Sequence, residues 1–236
     1  MALIVPMFAF TSCGGGDDEP SVPNQTLNVG QTYDIPVEGA WTSDNDLIAS
    51  VDGNTLTGVR VGEVAVRNGG KSFNVTVNPT ITLYKDPCLQ FGDNPSAIKK
   101  FMSSYAFESE ESESSLIYTS RQSGAAVGYG YTFESSKLTL TMVMAQRSIA
   151  STERLAEYLS QRFVPVTHND DYIGMISPDK KILVVFMIKY ISGSLMYVTS
   201  YAPNTSDANG RSDNYDVIIK EMINATPGEL VKSGLR

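Results

Sequence analysis

The sequence predicts two domains: an all-β sandwich, then an α+β domain whose antiparallel sheet carries helices on one face. Three observations predict this. Seven short alternating stretches, separated by turns rich in Gly, Asn and Asp, run between residues 22 and 78. From residue 79 onward the pattern changes to helix-spaced apolar positions alternating with longer strands, and eleven of the twelve tyrosines fall in this part. The chain has 236 residues, 42% hydrophobic and 19% charged; against a typical domain of about 150 residues that suits one large or two small packed domains. The same numbers exclude a disordered or collagen-like chain.

Residues 1–12 read as a signal peptide. Ala2, Leu3, Ile4, Val5, Met7, Phe8, Ala9 and Phe10 form an apolar run, followed by Thr11, Ser12 and Cys13. The run is too short to span a bilayer, which takes about 18 residues or more. The order of apolar run, small residues and Cys resembles the lipobox of bacterial lipoproteins. That resemblance implies cleavage before Cys13, with acyl chains on Cys13 as a membrane anchor. The sequence departs from the pattern at Phe10, where Leu is usual. It also has no Lys or Arg ahead of the run, so a basic segment is expected upstream of Met1. Residues 13–21 then form a flexible acidic tether. Asp17, Asp18 and Glu19 resemble a signal for display on the outer surface in some Gram-negative bacteria; a solvated tether explains them equally.

The strands expected in residues 22–78 are Thr26–Val29, Thr32–Val37, Ala40–Ser43, Leu47–Val51, Thr55–Thr57, Val61–Val66 and Lys71–Val77. Asp52-Gly53 and Asn68-Gly69 are hairpin turns, because Gly accepts the positive φ such turns require. Asn28-Val29-Gly30-Gln31-Thr32-Tyr33, Trp41-Thr42-Ser43-Asp44-Asn45, Ile48-Ala49-Ser50-Val51-Asp52, the stretch Leu56 to Val64 and Phe73-Asn74-Val75-Thr76-Val77 follow in order. Together they resemble a bacterial Ig-like group 2 (BIG2) domain over about 55 residues. The resemblance implies an Ig-like sandwich of the kind found in surface proteins beside adhesive or enzymatic modules, with no chemistry of its own. Trp41 is read as a core aromatic rather than a sugar platform. Asp44, Asp46 and Asp52 are read as turn residues, since their spacing does not match a calcium loop.

Residues 79–236 form the α+β domain. Asn94-Pro95 opens a helix with Ile98, Phe101, Met102 and Tyr105 on one face. Glu108 to Glu113 is expected to be a solvated loop or a disordered insert. Strands follow at Leu116–Ser120, Ala126–Phe133 and Lys137–Met144, then a helix at Ser151–Phe163 with Leu155, Tyr158, Leu159 and Arg162/Phe163 as its stripe. Strands at Asp171–Ile176, Lys181–Tyr190 and Leu195–Tyr201 and a helix at Ser212–Asn224 complete the series. This order suggests an αβββ duplication, with Ile98, Phe101 and Met102 matching Leu155, Tyr158 and Leu159, and the hairpin at Phe133–Leu138 matching Ile176–Ile182. The segment Asp86 to Gly92 with the helix after it also resembles, over about 25 residues, the start of C-terminal domains in Ig-bearing bacterial lipoproteins.

Chemistry is sparse. There is no G-x-S-x-G, P-loop, H-E-x-x-H or C-x-x-C. One His and two Cys exclude a four-ligand Cys/His zinc site and iron–sulfur clusters. Neither a metal nor a cofactor is expected. A net charge of −8 and a pI of about 4.7 argue against nucleic acid as a partner. Cys88 reads as a buried hydrophobe, His168 beside Asp170 and Asp171 as a polar loop, and Glu153/Glu157 as helix surface. Tyr129 and Tyr131 are assigned to the covered face of the sheet. Tyr190, Tyr197 and Tyr201 are assigned to an open face and are the candidate ligand-binding residues.

The functional expectation is a non-enzymatic, lipid-anchored protein of the cell envelope of a Gram-negative bacterium, held at the outer membrane through Cys13 and exposed at the surface. The Ig-like domain serves as spacer or adhesive module and the C-terminal domain binds glycan, peptide or protein. The alternatives are a hydrolase acting on envelope or host polymers, or a structural subunit of a surface complex.

Overall fold

A computed structural model describes residues 21–104, 108–122, 125–191, 193–204, 219 and 222–223. The segment read as a signal peptide, Cys13, Tyr105 and most of the helix expected at Ser212–Asn224 lie outside the described residues. The described chain is mostly β-strand, and none of its helices is long and apolar enough to cross a membrane.

Seven strands appear where the alternation places them: β1 (Gln25–Asn28), β2 (Thr32–Asp34), β3 (Thr42–Ser43), β4 (Ala49–Asp52), β5 (Thr55–Gly58), β6 (Gly62–Asn68) and β7 (Lys71–Asn78). They form a four-stranded sheet in the order β1-β7-β6-β3 and a three-stranded sheet in the order β2-β5-β4. Their inward residues, including Leu27, Trp41, Leu56, Val66, Phe73 and Val75, make one shared core. Trp41 packs edge-on against Phe73 with ring centroids 5.4 Å apart, and its indole N–H donates to Val37 O at 2.8 Å. The buried indole is thus both packed and satisfied, as the sequence leads one to expect. Asp44 pairs with Arg67 at 2.8 Å, which gives that carboxylate a structural partner.

The remaining elements are α1 (Pro95–Met102), β8 (Glu108–Glu111), β9 (Ser115–Gln122), β10 (Ala125–Glu134), β11 (Lys137–Gln146), α2 (Thr152–Ser160), β12 (Val164–His168), β13 (Ile173–Ile176), β14 (Ile182–Ile191) and β15 (Ser194–Pro203). A 3₁₀ turn at Arg147–Ile149 joins β11 to α2. Asn94 and Ser151 cap the two helices, their side-chain oxygens accepting from the amides of Ala97 and Arg154. The strands make one antiparallel sheet in the order β12-β13-β14-β15-β11-β10-β9-β8. Each half is a four-stranded meander led by a helix, and the last strands of the two meanders, β11 and β15, join the halves.

Four expectations are corrected. Glu108–Glu111 is an edge strand, not a loop: backbone pairing with β9 overrides its Glu/Ser composition, and Glu111 gains an ion pair with Lys99 at 2.7 Å. His168, read as part of a polar loop, instead ends the opposite edge strand Val164–His168, with Pro165 and an irregular register marking it as an edge. The repeating order is therefore αββββ, not αβββ. Its hairpins correspond at Glu134–Lys137 and Ile191–Ser194, separated by the same sequence interval as the caps Asn94 and Ser151, rather than at Phe133–Leu138 and Ile176–Ile182. Finally, helical residues lie against both faces of the sheet. One face carries α1, α2, the strap of residues 79–94 and a core with Tyr129, Tyr131, Tyr158 and Tyr201. On the other face Ile219 and Met222, both helical, pack with Met144, Leu183, Val185 and Val198.

Candidate functional site

The tyrosines expected on an open face are not there. Tyr197 and Tyr201 are 2% and 1% exposed. The register explains it: Tyr201 sits opposite Thr141 and Tyr129 opposite Val143, so all project from the same, covered face. The Tyr197 hydroxyl donates to Ala150 O at 3.1 Å and lies 3.2 Å from the Thr152 hydroxyl, which ties β15 to the start of α2. Only Tyr190, 75% exposed, meets the expectation of accessibility; it pairs with Leu195 and so lies diagonal to Tyr197 on the same face, at its uncovered end.

Other candidates settle into structural surroundings. Cys88 is buried, its carbonyl accepting from Thr141 and its amide donating to the Tyr131 hydroxyl, and burial pushes its thiol pKa up. Glu153 sits in the first turn of α2, where its own amide and the Ser151 hydroxyl hold its carboxyl below the usual range. Glu157 and His168 are exposed. Asp170 and Asp171 line a cavity of about 570 Å³ with Thr152, Asn169, Ile173 and Phe186, in which the Asn169 side chain is committed to the amides of Asp171 and Tyr172. Among the described residues no group of His, Cys, Asp and Glu could hold a metal ion.

A second cleft is built from both parts of the chain and was not anticipated. Its volume is about 350 Å³. One wall is Ile48, Val61, Gly62 and Glu63, from the N-terminal sheets and the turn into β6. The other is Asp86, Pro87 and Leu89 of the strap, Tyr158, Arg162 and Phe163 at the end of α2, Ser177–Asp179 and Ile182 around the β13–β14 turn, and Tyr201. Direct bonds hold the walls together. Val61 N–H donates to Gln161 O at 2.8 Å and the Asn45 amide to Pro178 O at 2.9 Å. The buried Gln161 side chain accepts from Thr80 N–H at 2.9 Å and donates to the Thr80 hydroxyl at 2.6 Å.

At the cleft floor Arg162 is the organising residue. Its side chain is only 8% exposed, so it needs partners to offset the loss of hydration. Nε and a terminal nitrogen donate to Asp86 at 3.2 and 3.4 Å, and the other terminal nitrogen donates to Tyr158 O at 3.1 Å and Ile81 O at 3.4 Å. The guanidinium lies 3.8 Å over the Tyr158 ring. The Tyr158 hydroxyl donates to the same Asp86 carboxylate. Burial raises the pKa of the Tyr84, Tyr158 and Tyr201 phenols, that of Tyr84 to about 12, so all three remain hydroxyls at neutral pH. Asp86 is thereby oriented while its side chain stays 59% exposed. Burial works against ionisation at Asp179, but the Ser177 hydroxyl, the Lys181 amide and the Lys181 charge outweigh it and hold that carboxyl low.

The sequence contained one signal for this site, an Arg at the end of the apolar stripe of α2. A cation on a buried stripe demands an anion, and Asp86 supplies it. No family model, no curated protein and no solved structure matches this chain.

Proposed function

We propose that this is a lipid-anchored, non-enzymatic ligand-binding protein of the Gram-negative cell envelope, attached to the outer membrane through Cys13 and displayed at the surface. In this reading residues 22–78 are a BIG2-like Ig domain and residues 79–236 an α+β domain with an αββββ repeat. The anchor is supported by the run Met1–Phe10, the small residues Thr11 and Ser12 before Cys13, and the Gly-rich acidic stretch after it. The observation that carries the binding role is the junction cleft, where a carboxylate fixed by Arg162 and Tyr158 faces a pocket walled by both domains. The Ig-like domain then serves as half of a binding site as well as a spacer. The ligand is a glycan, peptide or protein.

The anchor is tested by expressing the chain behind a basic n-region in a Gram-negative host with an alkyne-tagged fatty acid. Label on the membrane-bound protein that disappears in Cys13→Ser supports the reading; equal label in both overturns it. The binding role is tested by arraying the soluble body on glycans and peptides. Specific retention that is lost in Asp86→Asn supports the cleft, whereas reproducible turnover of a polymer by the purified protein overturns the non-enzymatic reading. A second reading, a subunit of a larger surface complex, is favoured by the exposed apolar residues Ile173, Ile188 and Tyr190 on one sheet face.

A further inference from the structure

The junction cleft constrains the chemistry of its ligand. A volume of about 350 Å³ falls at the small end of ligand sites and admits one side chain or a short molecule, not a broad surface. The lining is mainly apolar, with Ile48, Leu89, Phe163 and Ile182 able to bury a methylene stem.

Its polar groups are unbalanced. Three carboxylates, Glu63, Asp86 and Asp179, face one cation, Arg162. That cation is spent: it is 8% exposed and its donors go to Asp86, Tyr158 O and Ile81 O. Asp179 shares its charge with Lys181 at 3.5 Å. The Glu63 carboxylate has neither a hydrogen bond nor an ion pair among the described residues, and the residue is exposed on the N-terminal wall. Asp86 stands on the strap wall with part of its carboxylate open. The Tyr158 hydroxyl is committed to Asp86 and offers a ligand no proton. An entering anion meets repulsion from Glu63 and Asp86, and the cations at hand, Arg162 and Lys181, are already paired with Asp86 and Asp179. A neutral sugar leaves the carboxylate excess uncompensated. A cation with an apolar stem satisfies both the charge and the lining.

We propose that the cleft selects a lysine or arginine side chain presented by a peptide, with its methylenes against Leu89, Phe163 and Ile182 and its charged head between Glu63 and Asp86. This rests on the reading of the cleft as the binding site, and the experiment separates the two. The ¹⁵N-labelled folded protein is titrated with Ac-Gly-Lys-Gly-NH₂, with the norleucine and glutamate analogues, and with chitotriose as a neutral glycan. The expected result is that the lysine peptide shifts the amides of Val61, Gly62, Asp86 and Ile182 and binds about tenfold more tightly than norleucine, as an ion-paired head contributes in a partly desolvated site. The preference should shrink several-fold between low and high salt. Glu63→Gln, an exposed substitution on β6 that leaves the core intact, should remove a roughly three- to tenfold share of it without changing norleucine binding. Asp86→Asn should remove more. Norleucine, glutamate or chitotriose shifting the same amides as strongly as lysine overturns the cation selectivity while leaving the cleft as a binding site. No shift at the cleft amides with any probe overturns both.

Discussion

The two halves of the eight-stranded sheet share strand order and hairpin position but not cover. In the β8–β11 half, Tyr131 and Phe133 are buried. At the equivalent positions in the β12–β15 half, Ile188 and Tyr190 are 41% and 75% exposed. Both pairs project from the same face, as the registers of β10 with β11 and β14 with β15 require. The difference lies in what precedes each helix. Before α1 runs the long strap of residues 79–94. Its Leu83, Tyr84, Cys88 and Leu89 lie on the sheet, with Lys85 O accepting from Tyr129, the Cys88 amide meeting Tyr131 and Cys88 O accepting from Thr141. Before α2 there is only the 3₁₀ turn and Ala150–Ser151. A repeated strand pattern therefore specifies a sheet, while the length of the connection decides how much of its face leaves water. The strap also carries Asp86 to Arg162 and so makes one wall of the cleft.

The sharpest way to break this comparison is to truncate matched positions. Tyr131→Ala should cost about 3–5 kcal/mol, the range for emptying a large aromatic site in a core. Tyr190→Ala should cost less than about 0.5 kcal/mol, as for an exposed position. Urea denaturation at unchanged m-value reads both, and equal losses would mean that the halves are covered alike. Next in size is Asp86→Asn, which leaves a buried guanidinium facing a neutral amide. After discount for the exposure of Asp86 the loss should be about 1–3 kcal/mol, with hydrogen exchange rising first in the strap. Unchanged strap protection would show that the ion pair does not hold it.

A smaller effect concerns the two hairpins. Ser135 and Ser136 sit at φ of 49° and 61°, whereas Gly193 in the equivalent hairpin has φ of 82°. Left-handed backbone penalises Ser and not Gly. Ser136→Gly should therefore stabilise by roughly 0.5–1 kcal/mol and Gly193→Ser destabilise by about as much, read as opposite shifts of Tm. A pH dependence follows from the strap residues Lys85 and Tyr84. Burial, only partly offset by the nearby Cys88, lowers the Lys85 pKa to about 8 while its Nζ donates to Phe101 O at 3.1 Å. Between about pH 8 and 10 the unfolded chain, with lysine near its ordinary pKa of about 10.4, holds the proton that the folded chain has lost. Stability should thus rise with pH across that window. Above about pH 10 it should fall, because Tyr84, with its pKa raised to about 12, keeps its proton in the fold while unfolded tyrosines ionise. Denaturation midpoints at pH 7.5, 9 and 10 check this, and Lys85→Met should flatten the rise.

Elements governed by local rules were legible. Asn94 and Ser151 cap their own helices through bonds within one turn, and Asn68-Gly69 closes a hairpin whose strands alternate on either side. The edge strands were not, because β8 is written in Glu and Ser and β12 contains Pro165, so local propensity opposed pairing that neighbouring strands supplied. The tyrosines were misplaced for a related reason. Alternation says which residues of one strand share a face, but the pairing of β11 with β15 alone says which faces coincide. The cleft was invisible because its parts, from Ile48 to Tyr201, meet only when the sandwich docks on the end of α2.

By itself the sequence determined the strand-rich character of the chain, its seven short N-terminal strands, its two capped helices, and the motif around Cys13 on which the anchor proposal rests. These follow from periodicity, turn residues and caps, which act over a few residues. Tertiary structure alone decided which tyrosines are buried, which end of the sheet keeps Ile188 and Tyr190 exposed, and that Asp86, Arg162 and Glu63 line one cleft. Those outcomes depend on register and on contacts between segments far apart in sequence, where the energy of burying a side chain is set by what arrives on top of it.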